Sequence, residues 1–272
     1  MNFEEDYMAL VNGVIEDGDH RETRAGPTVA KFGTMLTISC LEDGLFPILT
    51  TRKMYPKGVW GELTAFIAGS ETVADFKHFG CNYWDANAAA WDKNKGKAPA
   101  EHRVGKIYGG QWRDFNGVDQ LRALITSLTM EPSSRRHLLT TYNPAETQLG
   151  CLPPCHLLAQ FNIRDDAWLE CCVYMRSVDL ILGLPSDIML YASLLIQLAN
   201  DLDLYPGYLT FMMGDTHVYL NHVDQWYEQA ERIPRALPSF NYPDGDIWDF
   251  HAEAIRLDDY NPHEKIPYEF NV

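Results

Sequence analysis

Long apolar runs are missing from the 272 residues of this chain. The longest, Ile188 to Ile196, is interrupted by Tyr191 and Ser193 and is too short to span a bilayer, so no membrane partner is expected. Positive charge is scarce as well: 22 Lys+Arg against 38 Asp+Glu leave a formal net charge of −16. Such a chain repels nucleic acid and anionic lipid, and any anionic ligand has to be met by a local basic cluster. Cysteine is sparse, six residues in all (Cys40, Cys81, Cys151, Cys155, Cys171, Cys172), and the opening MNFEEDYMAL carries acids where a secretory leader needs a positive start. Reduced thiols are therefore expected rather than a disulfide framework. Internal repeats and low-complexity blocks are lacking too. With 46% hydrophobic residues the composition is globular and argues against disorder, and the length suits one large core. The expectation is a soluble cytoplasmic protein with residues 1–272 as a single domain.

Periodicity predicts a helix over 3–16, ended by Asp17-Gly18-Asp19, and a strand over 28–40. Glu42-Asp43-Gly44 predicts a turn before a second short strand. Pro56 suits the first turn of a helix running to Ala68, stopped by Gly69. Asp92 to Gly105 is the most loop-like stretch. Further helices are expected over 118–130, about 186–202 with Pro185 near its start, and 222–231. Strands are expected over 137–142, 155–163, 168–176 and 207–214, before a Pro- and acid-rich tail. Strands and helices mix without regular βαβ alternation, which favours α+β.

Cys155 stands in Cys151-Leu152-Pro153-Pro154-Cys155-His156. It can be a buried thiol at a strand start, a metal ligand with Cys151 and His156, or a nucleophile whose thiolate a nearby cation such as Arg176 favours. No second ligand pair at zinc-like spacing follows, and the string is one residue too long for c-type haem attachment. Two prolines before the cysteine would stiffen its approach. Arg135-Arg136 after Ser133-Ser134, and Arg176-Ser177, join guanidinium forks to hydroxyls, a pairing that suits phosphate, although a solvated surface is the plainer alternative. His217 and Tyr219 lie two apart, so a strand would set both on one face, where they could hydrogen-bond a sugar hydroxyl. His251-Ala252-Glu253 matches half of the zinc deaminase signature, but the P-C-x-x-C half is missing and the order is reversed.

The strings RETRAG (21–26), Trp84-Asp85, IYGGQWRDF (107–115), SSRRHLLTTYN (133–143), LPPCHLLAQFNI (152–163), RSVDLILGLPSDI (176–188), GDTHVYLNH (214–222) and YNPH (260–263) occur in one order along almost the whole chain. In this the sequence resembles thymidylate synthase and its pyrimidine hydroxymethylase relatives. The resemblance implies an α+β fold with a mixed sheet flanked by helices, and a homodimer with sheets packed back to back. It also implies active sites that borrow arginines across the interface, and 5,10-methylenetetrahydrofolate as co-substrate, with no metal. It makes Cys155 the nucleophile toward C6 of the pyrimidine. It makes Arg24 and Arg176, with Ser177 and the neighbouring subunit's Arg135 and Arg136, the phosphate ligands. His217 and Tyr219 match the residues that bind the deoxyribose 3′-hydroxyl. Glu62, Tyr108, His156 and Gln160 match the polar network around the base. Asp179 matches the carboxylate that receives the pterin, and Trp84, Leu182 and Gly183 match other folate contacts.

Departures from the family pattern bear on the substrate. Asp187 stands where the uracil-reading asparagine is expected. A carboxyl group can accept from the cytosine amine and, sharing a proton, donate to N3. A charge favoured by the start of a helix is the alternative for Asp187. Asn87 stands for a second tryptophan and Ser186 for a phenylalanine, both small polar groups that would admit water. These changes point to dCMP and to hydroxymethylation of the phage type. Reductive methylation of dCMP stays open because Tyr260 to Val272 keeps the family's tail length, and methylation or hydroxymethylation of dUMP follows behind it.

Overall fold

The computed structural model describes residues 3–94, 102–242 and 245–271. In chain order its elements are α1 (Phe3–Asp17), β1 (Asp19–Thr23), β2 (Gly26–Ile38), α2 (Pro56–Ala68), α3 (Val73–His78), α4 (Asp85–Asn94), α5 (Tyr108–Arg113), α6 (Gln120–Met130), β3 (Leu138–Thr140), β4 (His156–Arg164), β5 (Trp168–Asp179), α7 (Gly183–Asp201), β6 (Tyr205–Tyr219), α8 (Val223–Ala230), β7 (Ser239–Asn241) and β8 (Arg256–Asp258). Six strands form one mixed sheet in the order β1-β2-β6-β5-β4-β3, and β7 pairs with β8 apart from it. Only β5 and β6 run parallel among these pairs, joined across α7; the rest of the large sheet is antiparallel. This is an α+β arrangement, as expected from the irregular order of elements.

Local chemistry accounts for the element ends. Pro56 occupies the first turn of α2, where its missing N–H costs nothing, and Gly69 closes the helix at φ 72°, a left-handed conformation that glycine adopts without strain. Thr72 and Asp119 cap α3 and α6 by accepting from Asp75 N–H and Arg122 N–H. The core gathers Tyr7, Val11 and Val14 of α1, Leu63 and Phe66 of α2, and Met189, Leu194 and Leu198 of α7 against alternate residues of the sheet such as Phe161, Val173 and Phe211. The opposite face of the sheet is open: Met35, Met212 and Tyr174 lie side by side across β2, β6 and β5, and are 62%, 46% and 41% exposed.

Three expectations need correction. No short strand follows Gly44; Cys40–Asp43 forms a 3-10 turn, Gly44 takes φ 72°, and the chain beyond makes a single bridge, Leu45 to Ser239. The loop expected over Asp92 to Gly105 begins inside α4, and its stretch 95–101 lies outside the described residues. Helix α7 starts at Gly183 rather than 186, because Pro185 in the first turn breaks no intrahelical bond. That earlier start puts Gly183, Ser186 and Asp187 within the first five residues of one helix.

Candidate active site

The ends of β5 and β6, the start of α7 and the edge of α2 surround a cavity of about 440 Å³. Its walls include Glu62, Trp84, Asn87, Tyr108, Cys155, His156, Ser177, Asp179, Leu182, Gly183, Ser186, Asp187, His217 and Tyr219. Residues scattered from 62 to 219 are thus brought to one surface. Parallel pairing sets Ser177 opposite Asp215 and Asp179 opposite His217. Gly214 lets the two strands approach, since a Cβ there would stand 2.9 Å from the Arg176 carbonyl oxygen.

Cys155 sits at the start of β4, beside the register shift between His156 and Leu158. Its N–H donates to the Tyr108 hydroxyl at 3.0 Å, and its carbonyl accepts from Arg176 N–H at 2.9 Å. The Arg176 guanidinium donates to the carbonyls of Pro154 (2.8 Å) and Pro153 (2.9 Å) and reaches Cys155 Sγ at 3.8 Å. The prolines lack N–H groups but keep their carbonyls, so the arginine clamps the loop that carries the thiol. Arg176 alone does not make a resting thiolate. Burial pushes the Cys155 thiol up, Asp187 adds to that, and the opposing pull of Arg176 and Tyr108 leaves it above its ordinary value.

His156 Nε2 and Asp187 Oδ1 are 2.8 Å apart, and the Tyr191 hydroxyl meets His156 Nδ1 at 3.3 Å. Burial works against the imidazolium, but the Asp187 carboxylate and, further off, Glu62 raise His156 above its usual value. Asp187 lies beyond the unpaired amides of α7's first turn and pairs with a side chain, which disfavours the helix-end reading of its charge. Glu62 accepts from Tyr83 Oη and from Trp84 Nε1, each at 2.7 Å. Burial pushes its carboxyl up to about 7, against the pull of those two donors. Asp179 Oδ1 accepts from Ile181 N–H (2.9 Å) and Leu182 N–H (3.3 Å), which fixes the aim of the carboxylate. His217 Nδ1 meets Asp215 Oδ1 at 2.9 Å, and Arg21 holds the other Asp215 oxygen at 2.6 Å. His217 and Tyr219 share the cavity side of β6, as the spacing predicted.

Five of the expected residues are not part of this wall, and of these Arg176 reaches it only through its contact with Cys155 Sγ. Arg24 lies in the turn between β1 and β2, close enough for its charge to act on Tyr219. Gln160 is exposed on β4 and donates to the Arg135 carbonyl at 3.4 Å, outside the cavity wall. Arg135 and Arg136 line a separate hollow with Ser133 and Ser134. Sequence reasoning missed Tyr83, Leu152, Val178, Phe270 and Asn271, which also line the cavity. The string Trp84-Asp85 starts one residue after Tyr83, and the last string stops at His263, so neither Tyr83 nor the two tail residues lies within a family string. Among the described residues no cluster of three or more His, Cys, Asp or Glu could hold a metal ion, and no helix is long and apolar enough to cross a membrane.

A cysteine-bearing loop, a His156–Asp187 pair and a carboxylate-lined hollow at strand ends thus meet in one cavity. The chain belongs to the thymidylate synthase family, whose model matches residues 5–272. It is 33% identical to thymidylate synthase of Mesoplasma florum, with 98% of this chain and 99% of that protein covered. Thymidylate synthase of Ascaris suum is 38% identical (95% and 94% covered), and that of Equine herpesvirus 2 is 38% identical (99% and 98%). The family uses 5,10-methylenetetrahydrofolate as co-substrate and transfers its carbon to C5 of the pyrimidine.

Proposed function

We propose that this chain, as one catalytic domain over 1–272, transfers the carbon of 5,10-methylenetetrahydrofolate to dCMP and releases 5-hydroxymethyl-dCMP. The observation that carries this reading is the His156–Asp187 pair, 2.8 Å apart in the same cavity as Cys155. The Watson–Crick edge of cytosine offers an amine donor and an N3 acceptor. A pair holding one proton between a carboxylate and an imidazole supplies both complements, whereas uracil would meet a carboxylate with its own O4 acceptor.

In the proposed sequence Cys155 Sγ bonds to C6 and the ring's electron density moves to C5. C5 bonds to the one-carbon unit and gives its proton to the network of Glu62, Tyr108 and His156, while the bond between that carbon and the folate nitrogen breaks and the nitrogen leaves with a proton as tetrahydrofolate. Water adds its hydroxyl to the exocyclic carbon so left, the electron pair of that carbon's double bond to C5 closes C5=C6, and Cys155 leaves. The co-substrate supplies a carbon that can receive either water or a hydride. Asn87 and Ser186 leave room and hydrogen bonds for water at that carbon. Trp84, Leu182 and Gly183 would form the folate wall, with the Asp179 carboxylate held for the pterin; a 440 Å³ hollow with these linings suits a flat heterocycle. His217 and Tyr219 would take the sugar hydroxyl, with Asp215 on Nδ1 fixing the imidazole tautomer. Arg24, Arg176 and Ser177, with Arg135 and Arg136 of a second copy, would take the phosphate. The open row of Met35, Met212 and Tyr174, and the distance of Arg135 and Arg136 from their own cavity, support a homodimer packed through the sheet.

One observation favours reductive methylation of dCMP instead: Phe270 and Asn271 of the tail line the cavity, where they would narrow the access of water. The relatives' shared name, thymidylate synthase, points to transfer of a methyl group too, but onto dUMP rather than dCMP. Incubation with dCMP and labelled 5,10-methylenetetrahydrofolate, followed by mass measurement of the nucleotide, decides the question. Hydroxymethyl product with tetrahydrofolate supports the proposal; methyl product with dihydrofolate supports the second reading, and turnover of dUMP in preference to dCMP overturns both.

A further inference from the structure

We infer that Tyr83 is a positioning residue for Glu62: its hydroxyl and the Trp84 indole each hold one carboxylate oxygen, so that any proton on Glu62 resides on Oε2. The inference rests on the reading of Glu62 as a proton carrier in the transfer reaction. Trp84 Nε1 donates to Oε1 at 2.7 Å, and an indole can do nothing but donate, so Oε1 remains an acceptor in every protonation state. Oε2 faces the Tyr83 hydroxyl at 2.7 Å. A hydroxyl both donates and accepts. When Glu62 is ionised, Tyr83 donates to it. When Glu62 carries a proton, Tyr83 can accept and turn its own hydrogen toward the Gly58 carbonyl, 3.5 Å away at the start of α2. Glu62 can thus gain and lose a proton without stranding a buried polar atom, a penalty of the kind that otherwise slows such exchange.

Tyr83 as a whole is 38% exposed, whereas its hydroxyl donates inward to Glu62, so the hydroxyl is the part that bears on the site. The other ionisable groups acting on or near Glu62 come from separate elements: Asp187 on α7, His156 on β4, Tyr108 on α5 and Cys81 before α4. None of them donates to Oε2 in the hydrogen bonds described.

The test is the pH profile of kcat for dCMP in wild type, Tyr83→Phe and Glu62→Gln, with the carboxyl of Glu62 followed by 13C NMR in the first two. Removing a donor that favours the ionised form should move the Glu62 titration, and the kcat limb with it, upward by about one pH unit. KM for dCMP should change less than about threefold, since the phosphate and sugar contacts are untouched. Trp84→Phe is the second variant, because Oε1 loses its donor there and the limb should move in the same direction. If Glu62→Gln keeps the limb, the reading of Glu62 as proton carrier fails, whatever Tyr83 does. If Glu62→Gln abolishes the limb but Tyr83→Phe leaves it in place, or raises only KM, the positioning role of Tyr83 is overturned.

Discussion

Replacing Asp187 with asparagine exchanges one side-chain oxygen for nitrogen and leaves the volume of the residue unchanged. In the wild type that oxygen set lies 2.8 Å from His156 Nε2 and keeps the buried imidazole above its usual value against the cost of burial. Without the carboxylate, burial dominates and His156 falls below that value. Two consequences follow for the base edge. The amide offers a donor to uracil O4 and an acceptor to its N3–H, and the proton that the pair could offer to cytosine N3 is gone. A buried mismatch of about 2–3 kcal/mol corresponds to roughly 30- to 150-fold in relative kcat/KM, so preference should swing from dCMP toward dUMP by that factor. The carbon's fate should stay the same, because Asn87 and Ser186 are unaltered, and dUMP should give mainly 5-hydroxymethyl-dUMP. Steady-state competition between the two nucleotides measures the first effect and product mass the second. The pair should also be visible in stability. A raised histidine value stabilises the folded state fully below about 6.5 and loses that contribution as pH climbs through the folded value, so the deficit of Asp187→Asn should be largest in mild acid. A wild type that already prefers dUMP, or a mutant whose preference does not move, refutes Asp187 as the base reader.

Mixing Cys155→Ser with Arg136→Ala subunits, each inactive alone, should restore activity through one intact site per hybrid if Arg136 serves its neighbour. No recovery despite measured subunit exchange counts against a shared site. Glu62, lifted by burial from 4.5 to about 7, is an acid that the fold binds in its protonated form. Stability should therefore decline as pH rises across that window, by at most about 3 kcal/mol. Glu62→Gln should accordingly resist urea better than wild type at pH 8, gain little at pH 5, and lose turnover; equal midpoints at pH 8 would contradict this account of the buried carboxyl. Asn87→Trp combined with Ser186→Phe should close the route for water and raise the share of 5-methyl-dCMP, with dihydrofolate appearing in step. An unchanged product ratio in a folded, nucleotide-binding variant would remove these two positions from the argument about the carbon's fate.

Much of this protein is written in local patterns. Helix α2 between Pro56 and Gly69, the amphipathic α1 and the long strands β2, β4, β5 and β6 follow from caps, alternation and apolar spacing, which act over a few residues and need no partner. The strings around Cys155, Arg176 and His217 sufficed to indicate the family for the same reason: each is a contiguous piece of one element or loop. Short elements such as α3, α5 and β7 were not legible, because pieces this small are stabilised by what they pack against and carry almost no period of their own. The site's electrostatics were legible only in part. Arg176 beside Cys155 suggested a thiolate, yet the balance between that cation, the Asp187 charge and burial belongs to the packed molecule, and burial dominates. Asp187 was visible as a departure in a motif, but its union with His156 joins α7 to β4 and exists only once the sheet has closed on the helix. Tyr83 carried no signal at all. Its role comes from a hydroxyl that reaches Glu62 across the gap between the start of α4 and the middle of α2, and a contact between elements distant in sequence is decided by tertiary packing, not by the residues on either side.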